Sequence, residues 1–124
     1  MKILIVDDDD VLVASLTEKL ECRHFEVLTT HFGDGGLHLY KKHGPWDFVL
    51  TDYRFLPGTQ IRDCMQLATA IYLINPFQQM AIMASEANDV RRNLPEPLHN
   101  LPVLRKHFRL EQVLRLLRQP VLPF

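Results

Sequence analysis

Four apolar residues in a row, Ile3-Leu4-Ile5-Val6, run straight into four aspartates, Asp7 to Asp10. A short, largely β-branched run with no polar alternation is the pattern of a strand buried on both faces of a parallel sheet. Such a strand needs cover on both sides, which in a chain of this kind means helices. The abrupt acidic stop places carboxylates at the strand's exit. It also excludes the apolar core of a secretory signal, and no other segment approaches the roughly 18 apolar residues of a membrane span.

The rest of the chain alternates in the same way. Leu12, Leu16 and Leu20, with Glu18, Lys19 and Glu21 between them, predict an amphipathic helix over residues 11 to 22, capped by Asp9 or Asp10. Glu26 to Thr30 reads as a strand, Gly33 as a turn, and Asp34 as the cap of a helix running through Leu37 and Tyr40 to Lys42 and closed by Gly44-Pro45. Asp47 to Thr51 is a third strand ending at Asp52. Tyr53 to Thr59 is a loop with Pro57-Gly58 as its turn signal, and Ile61, Cys64, Met65, Ala68, Ile71 and Tyr72 mark a helix that stops before Asn75-Pro76. Met80 to Ala84 is a fourth strand. Pro95 and Pro97 restrict the stretch from Glu86 to Asn100 to about two helical turns, from Asn88 to Asn93. Leu101 to Arg105 forms a fifth strand, and Leu110, Val113, Leu114 and Leu117 a last helix that Pro120 ends. Five strands alternating with helices predict an α/β, doubly wound parallel sheet with right-handed crossovers.

The 124 residues suit one domain spanning 1–124, and 47% hydrophobic with 23% charged residues is the balance of a soluble globular chain. Lys+Arg 14 against Asp+Glu 15 gives a net charge of -1, without the basic field that nucleic-acid binders carry. No nucleic acid and no membrane are expected as partners. Cys22 and Cys64 have no CxxC neighbour, so neither a zinc site nor a disulfide framework is expected, and a cytoplasmic location fits.

In a doubly wound sheet the reactive site lies beyond the carboxyl ends of the strands, where strand order reverses. Asp7 and Asp8 follow the first strand, and Asp52 follows the third, its neighbour in the order 2-1-3-4-5. Carboxylates crowded there raise one another's pKa unless a cation offsets them, and Mg²⁺, which takes carboxylate, water and phosphate oxygens, suits the cluster. Asp9 and Asp10 read instead as a solvated helix N-terminus. Lys106 ends the fifth strand, where its ammonium can pair with a carboxylate or a phosphoryl oxygen; alone it also fits an ordinary surface lysine. Ser85 ends the fourth strand as a hydroxyl for the same crevice or as a helix cap. The six histidines show no ligand spacing, and Trp46 reads as packing.

Ile3 to Asp9, Asp47 to Arg54 followed by Pro57-Gly58, and Leu104-Arg105-Lys106-His107-Phe108 together resemble the receiver domain of bacterial two-component response regulators, of the chemotaxis-regulator type. The resemblance covers the whole chain and implies the flavodoxin-like fold with strand order 2-1-3-4-5. It further implies a phosphorelay role in which Asp52 takes a phosphoryl group from a histidine kinase or phosphotransfer protein. Asp7, Asp8, Asp52 and the backbone carbonyl of Arg54 hold Mg²⁺ in that picture, Lys106 pairs with the phosphoryl oxygens, and Ser85 is the switch hydroxyl. Output then runs through binding of a downstream protein, with a homodimer as one form. The protein is no enzyme beyond its own phosphorylation and dephosphorylation.

The chain departs from the family pattern in several places. One extra residue lies between Asp52 and Pro57, and Thr59, Gln60 and Ile61 stand where a glycine usually follows. His107 replaces the proline after the lysine; a non-proline cis bond costs about 3 kcal/mol, so a different direction for Lys106 is expected. A one-residue ambiguity leaves Ala84 or Ser85 at the switch position, and Val103 stands where the family has an aromatic residue. Two other readings follow. One is a pseudo-receiver that binds a partner without phosphorylation. The other is a phosphatase similar to the haloacid-dehalogenase type, with Asp7 as nucleophile and Asp9 as general acid.

Overall fold

The computed structural model describes residues 1–56, 58–96 and 98–118. Five strands, β1 (Lys2–Val6), β2 (Glu26–Thr30), β3 (Phe48–Asp52), β4 (Met80–Ala84) and β5 (Val103–Arg105), alternate with helices α1 (Asp10–Glu21), α2 (Gly33–His43), α3 (Cys64–Ile74), α4 (Ala87–Asn93) and α5 (Leu110–Leu117). The strands form one parallel sheet in the order β2-β1-β3-β4-β5. This is the flavodoxin-like doubly wound arrangement, and the topological switch point falls between β1 and β3.

The strand alternation divides the core in two. Ile3, Ile5, Phe48, Leu50, Ala81 and Met83 point to the face covered by α1 and α5, through Leu16, Leu20 and Val113. Leu4, Val6, Val49, Met80, Ile82 and Ala84 point to the opposite face, covered by α2, α3 and α4 through Tyr40, Leu67, Ile71 and Val90. The unbroken apolar runs of β1 and β4 are therefore explained: every residue of each run is buried on one face or the other.

Local signals place the helix starts. Asp9 caps α1, its carboxylate accepting from the Leu12 N–H at 3.1 Å, and Asp63 caps α3 by accepting from Gln66 at 2.9 Å. Trp46 is buried and donates its indole N–H to the Tyr40 carbonyl, a packing role as its position suggests. Two expectations need correction. Asp34 does not cap α2: Phe32 is the N-cap residue, without a side-chain bond, and the Asp34 carboxylate reaches away to the loop after β3. The third helix begins at Cys64 rather than near Ile61, which is buried in the loop ahead of it. The short fourth helix appears as predicted, followed by a 3-10 turn at Leu98–Asn100, and β5 is shorter than predicted, starting at Val103. The turn signal at Pro57, the breaker at Pro97 and the helix stop at Pro120 lie outside the described residues.

Candidate functional site

The register of the central strands carries the acidic residues to one place. β1 and β3 pair Val6 with Thr51, so Asp7 and Asp52 leave the sheet side by side. One carboxylate oxygen from each of Asp7, Asp8 and Asp52 lies within 4.8 Å of the others. Asp7 is fully buried and Asp52 is 3% exposed, whereas Asp8 faces solvent.

Two buried carboxylates side by side need compensation, and the structure supplies part of it. The Asp7 Oδ1 accepts the Asp9 N–H at 3.0 Å. The Lys106 Nζ lies 3.2 Å from the Asp52 Oδ1 and 3.6 Å from the Asp7 Oδ2. That second distance is an ion pair without a hydrogen bond, and the Asp7 Oδ2 is a buried oxygen with no hydrogen-bond partner. Burial is the main reason the Asp7 carboxyl is pushed up to about 7, with the charge of Asp52 adding to it and the Asp9 N–H and Lys106 opposing it. For Lys106, burial favours the neutral amine, but the charges of Asp52 and Asp7 outweigh it and raise the ammonium's pKa.

This is the chemistry of a divalent-cation site. Three hard oxygen donors converge, one of them a buried oxygen without a hydrogen-bond donor, and the local charge is negative beyond what one lysine offsets. Mg²⁺ fits such a donor set.

A cleft of about 470 Å³ opens above the cluster, lined by Asp8, Asp52, Arg54, Ser85 and Lys106 among others. Asp8, Asp52, Arg54, Ser85 and Lys106 therefore surround one crevice, and Asp7 lies beneath it, paired with Lys106. His107 does not draw Lys106 away from the site. The turn is made by putting His107 itself at φ 70, a left-handed conformation that costs a non-glycine residue roughly 1 kcal/mol, while the Lys106 N–H stays paired to the Ala84 carbonyl at 2.9 Å. At the end of β4, Ala84 is buried in the core and Ser85 is the exposed residue; both line the cleft. Asp9 is engaged as the cap of α1.

One residue at this pole, read from the sequence as a helix cap, has a different role. Asp34, on the first turn of α2, accepts from the Thr59 N–H at 2.8 Å, the Thr59 hydroxyl at 2.7 Å, the Gln60 N–H at 3.1 Å and the Ile61 N–H at 2.6 Å. These bonds, led by Ile61 and the Thr59 hydroxyl, hold its carboxyl down to about 2. The Asp34-Gly35 pair reads as a helix start from local sequence, and its long-range partners leave no periodic mark.

No protein-family model and no curated protein matches the sequence. Solved structures do match. The non-phosphorylated HemR receiver domain from Leptospira biflexa is 22% identical, with a TM-score of 0.78 over 99% of this chain and 98% of that one. The response regulator protein TrrA from Thermotoga maritima, in complex with Mg²⁺-BeF, is 23% identical, with a TM-score of 0.77 over 93% of this chain and 97% of that one. The receiver domain of a sensor histidine kinase from Pseudomonas aeruginosa PAO1, with a magnesium ion coordinated in its active-site cleft, is 19% identical, with a TM-score of 0.79 over 94% and 93%. Likeness of this extent at such identities is a likeness of fold, and the fold of this chain is that of the response-regulator receiver domains.

Proposed function

We propose that the protein is a phosphorelay receiver that accepts a phosphoryl group on Asp52 from the phosphohistidine of a histidine kinase or phosphotransfer protein. The observation that carries this reading is the buried pair Asp7 and Asp52 bridged by one ammonium, with Asp8 at the rim of the same crevice. Asp52 is the nucleophile: one of its oxygens bonds to phosphorus as the P–N bond to the histidine breaks. Lys106, already paired with the Asp52 Oδ1, moves its charge onto a phosphoryl oxygen. Asp7, Asp8, Asp52 and the Arg54 carbonyl are the groups that would hold Mg²⁺, which supplies positive charge to the transferring oxygens. Ser85, exposed at the end of β4, offers the hydroxyl that follows the phosphoryl group and reports it to the surface.

On this reading the protein works in the cytoplasm and catalyses only its own phosphorylation and dephosphorylation. Output is a binding event, with a downstream protein or a second copy of the chain as partner. Among the described residues, no helix is long and apolar enough to cross a membrane.

Acetyl phosphate with Mg²⁺, followed by intact-mass detection, tests the proposal. The expected result is a Mg²⁺-dependent, acid-stable and base-labile phosphoryl adduct, absent from Asp52→Asn. No adduct on the parent chain, with a control receiver labelled in parallel, overturns it in favour of a phosphorylation-independent binding module. Phosphate-ester turnover that survives Asp52→Ala but not Asp7→Ala overturns it in favour of a phosphatase.

A further inference from the structure

The loop after β3 holds Arg54 and continues to the Asp63 cap of α3, and it is fastened to α2 at three points. Phe32 and Leu56 form an isolated parallel bridge beyond the strand ends. Phe55 and Ile61 are buried, and a Cβ on Gly33 would meet them at 2.6 and 2.4 Å, so the loop sits directly on the first turn of α2. Asp34 then closes the structure. The Gly58 N–H bonds to the Ile61 carbonyl at 2.9 Å, and the turn so formed aims the successive N–H groups of residues 59, 60 and 61 at the one Asp34 carboxylate. A run of backbone N–H groups converging in this way is an anion-binding nest, and here the anion is built into the chain. Gly58 is required by the closeness of the approach, since a Cβ there would lie 2.4 Å from the Asp34 carboxyl carbon.

This device directly follows the stretch between Asp52 and Pro57 in which the chain has its extra residue. A longer loop has more conformations to lose, and anchoring its far end removes that slack. We infer that Asp34 is a positioning residue for the acidic site: by gripping the turn at residues 58 to 61 it fixes the loop that leaves Asp52 and carries Arg54, and so sets the Arg54 side of the site for a divalent cation beside Asp7, Asp8 and Asp52. The inference rests on the receiver reading for the Arg54 carbonyl as a ligand and for the identity of that cation as Mg²⁺. Asp34 itself belongs neither to the cluster nor to the residues lining the cleft.

The test is Mg²⁺ affinity of the full chain by calorimetry, at a temperature where each variant is folded. Asp34→Ala is expected to weaken Mg²⁺ about tenfold, the lower end of what support groups around a metal site contribute. Asp34→Asn, which keeps one acceptor oxygen, should lose less. Gly58→Ala attacks the same grip from the loop side and should weaken Mg²⁺ as well, so the inference does not depend on one variant folding. Leu98→Ala, a core variant remote in sequence from the loop, controls for simple destabilisation and should leave the affinity unchanged. Amide exchange at residues 59 to 61 should accelerate in Asp34→Ala. Parental affinity in both Asp34→Ala and Gly58→Ala overturns the inference, as does an equal loss in Leu98→Ala or the absence of Mg²⁺ binding in the parent. A parent that binds Mg²⁺ but takes no phosphoryl group defeats the proposed function alone, leaving the role of Asp34 to be decided by the variants.

Discussion

β1 and β3 lie at the centre of the sheet, each with a strand on either side, and their apolar residues are buried on both faces. β5 is a three-residue edge strand with one neighbour, flanked by a seven-residue helix whose residues are mostly exposed. The carboxylates of the acidic cluster grow out of the first region, and the wall of the cleft nearest Ser85 and α4 belongs to the second. Buried carboxylates that share one lysine are tolerated where backbone and core hold them from every direction. A surface that must respond to a change in that charge sits better where few interactions have to be broken. The fold thus separates the buried acidic cluster from the more exposed edge of the sheet.

The comparison breaks if the edge region is a separate, weakly coupled unit, and Leu98→Ala decides this with the largest expected effect. Leu98 is fully buried in the core cluster that also holds Leu4, Val49 and Ile82 of the central strands. Truncation is expected to cost about 3–4 kcal/mol of global stability, read as a lower urea midpoint with an unchanged slope. A normal midpoint with faster amide exchange confined to α4 and β5 would show that the edge opens on its own.

The central region is sharpened by Asp7→Asn. The folded protein holds a proton on Asp7 up to about 7, whereas the unfolded chain releases it near 3.8. Between those values the folded state binds more protons, so this group's contribution falls as pH rises, and the metal-free protein is destabilised on the alkaline side of the window. Asparagine cannot ionise. Metal-free Asp7→Asn is therefore expected to be more stable than the parent at pH 8 by on the order of 1–3 kcal/mol, with the gap closing by pH 4. Urea midpoints at the two pH values measure it, and a gap independent of pH would rule out Asp7 ionisation as its cause. The same variant should bind Mg²⁺ far more weakly than the parent.

The two regions also differ in how much of them can be read from the chain. Asp7 and Asp52 are legible because each ends an apolar run, and a strand's end in a parallel sheet has a known place relative to its neighbours. The five strands follow from the same runs, with β5 shortened to start at Val103 because Pro102, which has no N–H, offers β4 only its carbonyl. Asp34 was misassigned as a helix cap because an aspartate before two glycines carries a strong local signal, while its real partners lie 25 to 27 positions on. His107 shows the reverse case. Its departure from the family's proline suggested a displaced lysine, but the backbone absorbed the change at His107 itself and left Lys106 on Asp52. Local signals fail where a side chain is held by a distant loop, and motif departures mislead where neighbouring backbone can compensate.

The smallest expected effect tests what holds the edge. The Pro102 carbonyl and the Lys106 N–H bond to β4, so the intervening Val103 turns its own carbonyl to the open side of the sheet. An unpaired edge carbonyl is a template for another strand, and here Arg91 of α4 takes it: its Nη2 lies 2.6 Å from the Val103 oxygen while its Nη1 bonds to Asn88 at 2.8 Å. One guanidinium therefore ties α4 to the strand beside it, at the position where the family's aromatic residue is absent. Because the guanidinium is exposed, water replaces much of what is lost, and Arg91→Ala is expected to cost only about 1 kcal/mol. The loss should be local: faster amide exchange in α4 and at Val103 to Arg105, with Mg²⁺ affinity and Asp52 labelling unchanged, because neither Asp7 nor Lys106 depends on Arg91 for its position. A fall in Mg²⁺ affinity in this variant would mean that the edge and the centre are one coupled unit, with α4 and β5 linked to the acidic cluster in the unmodified protein.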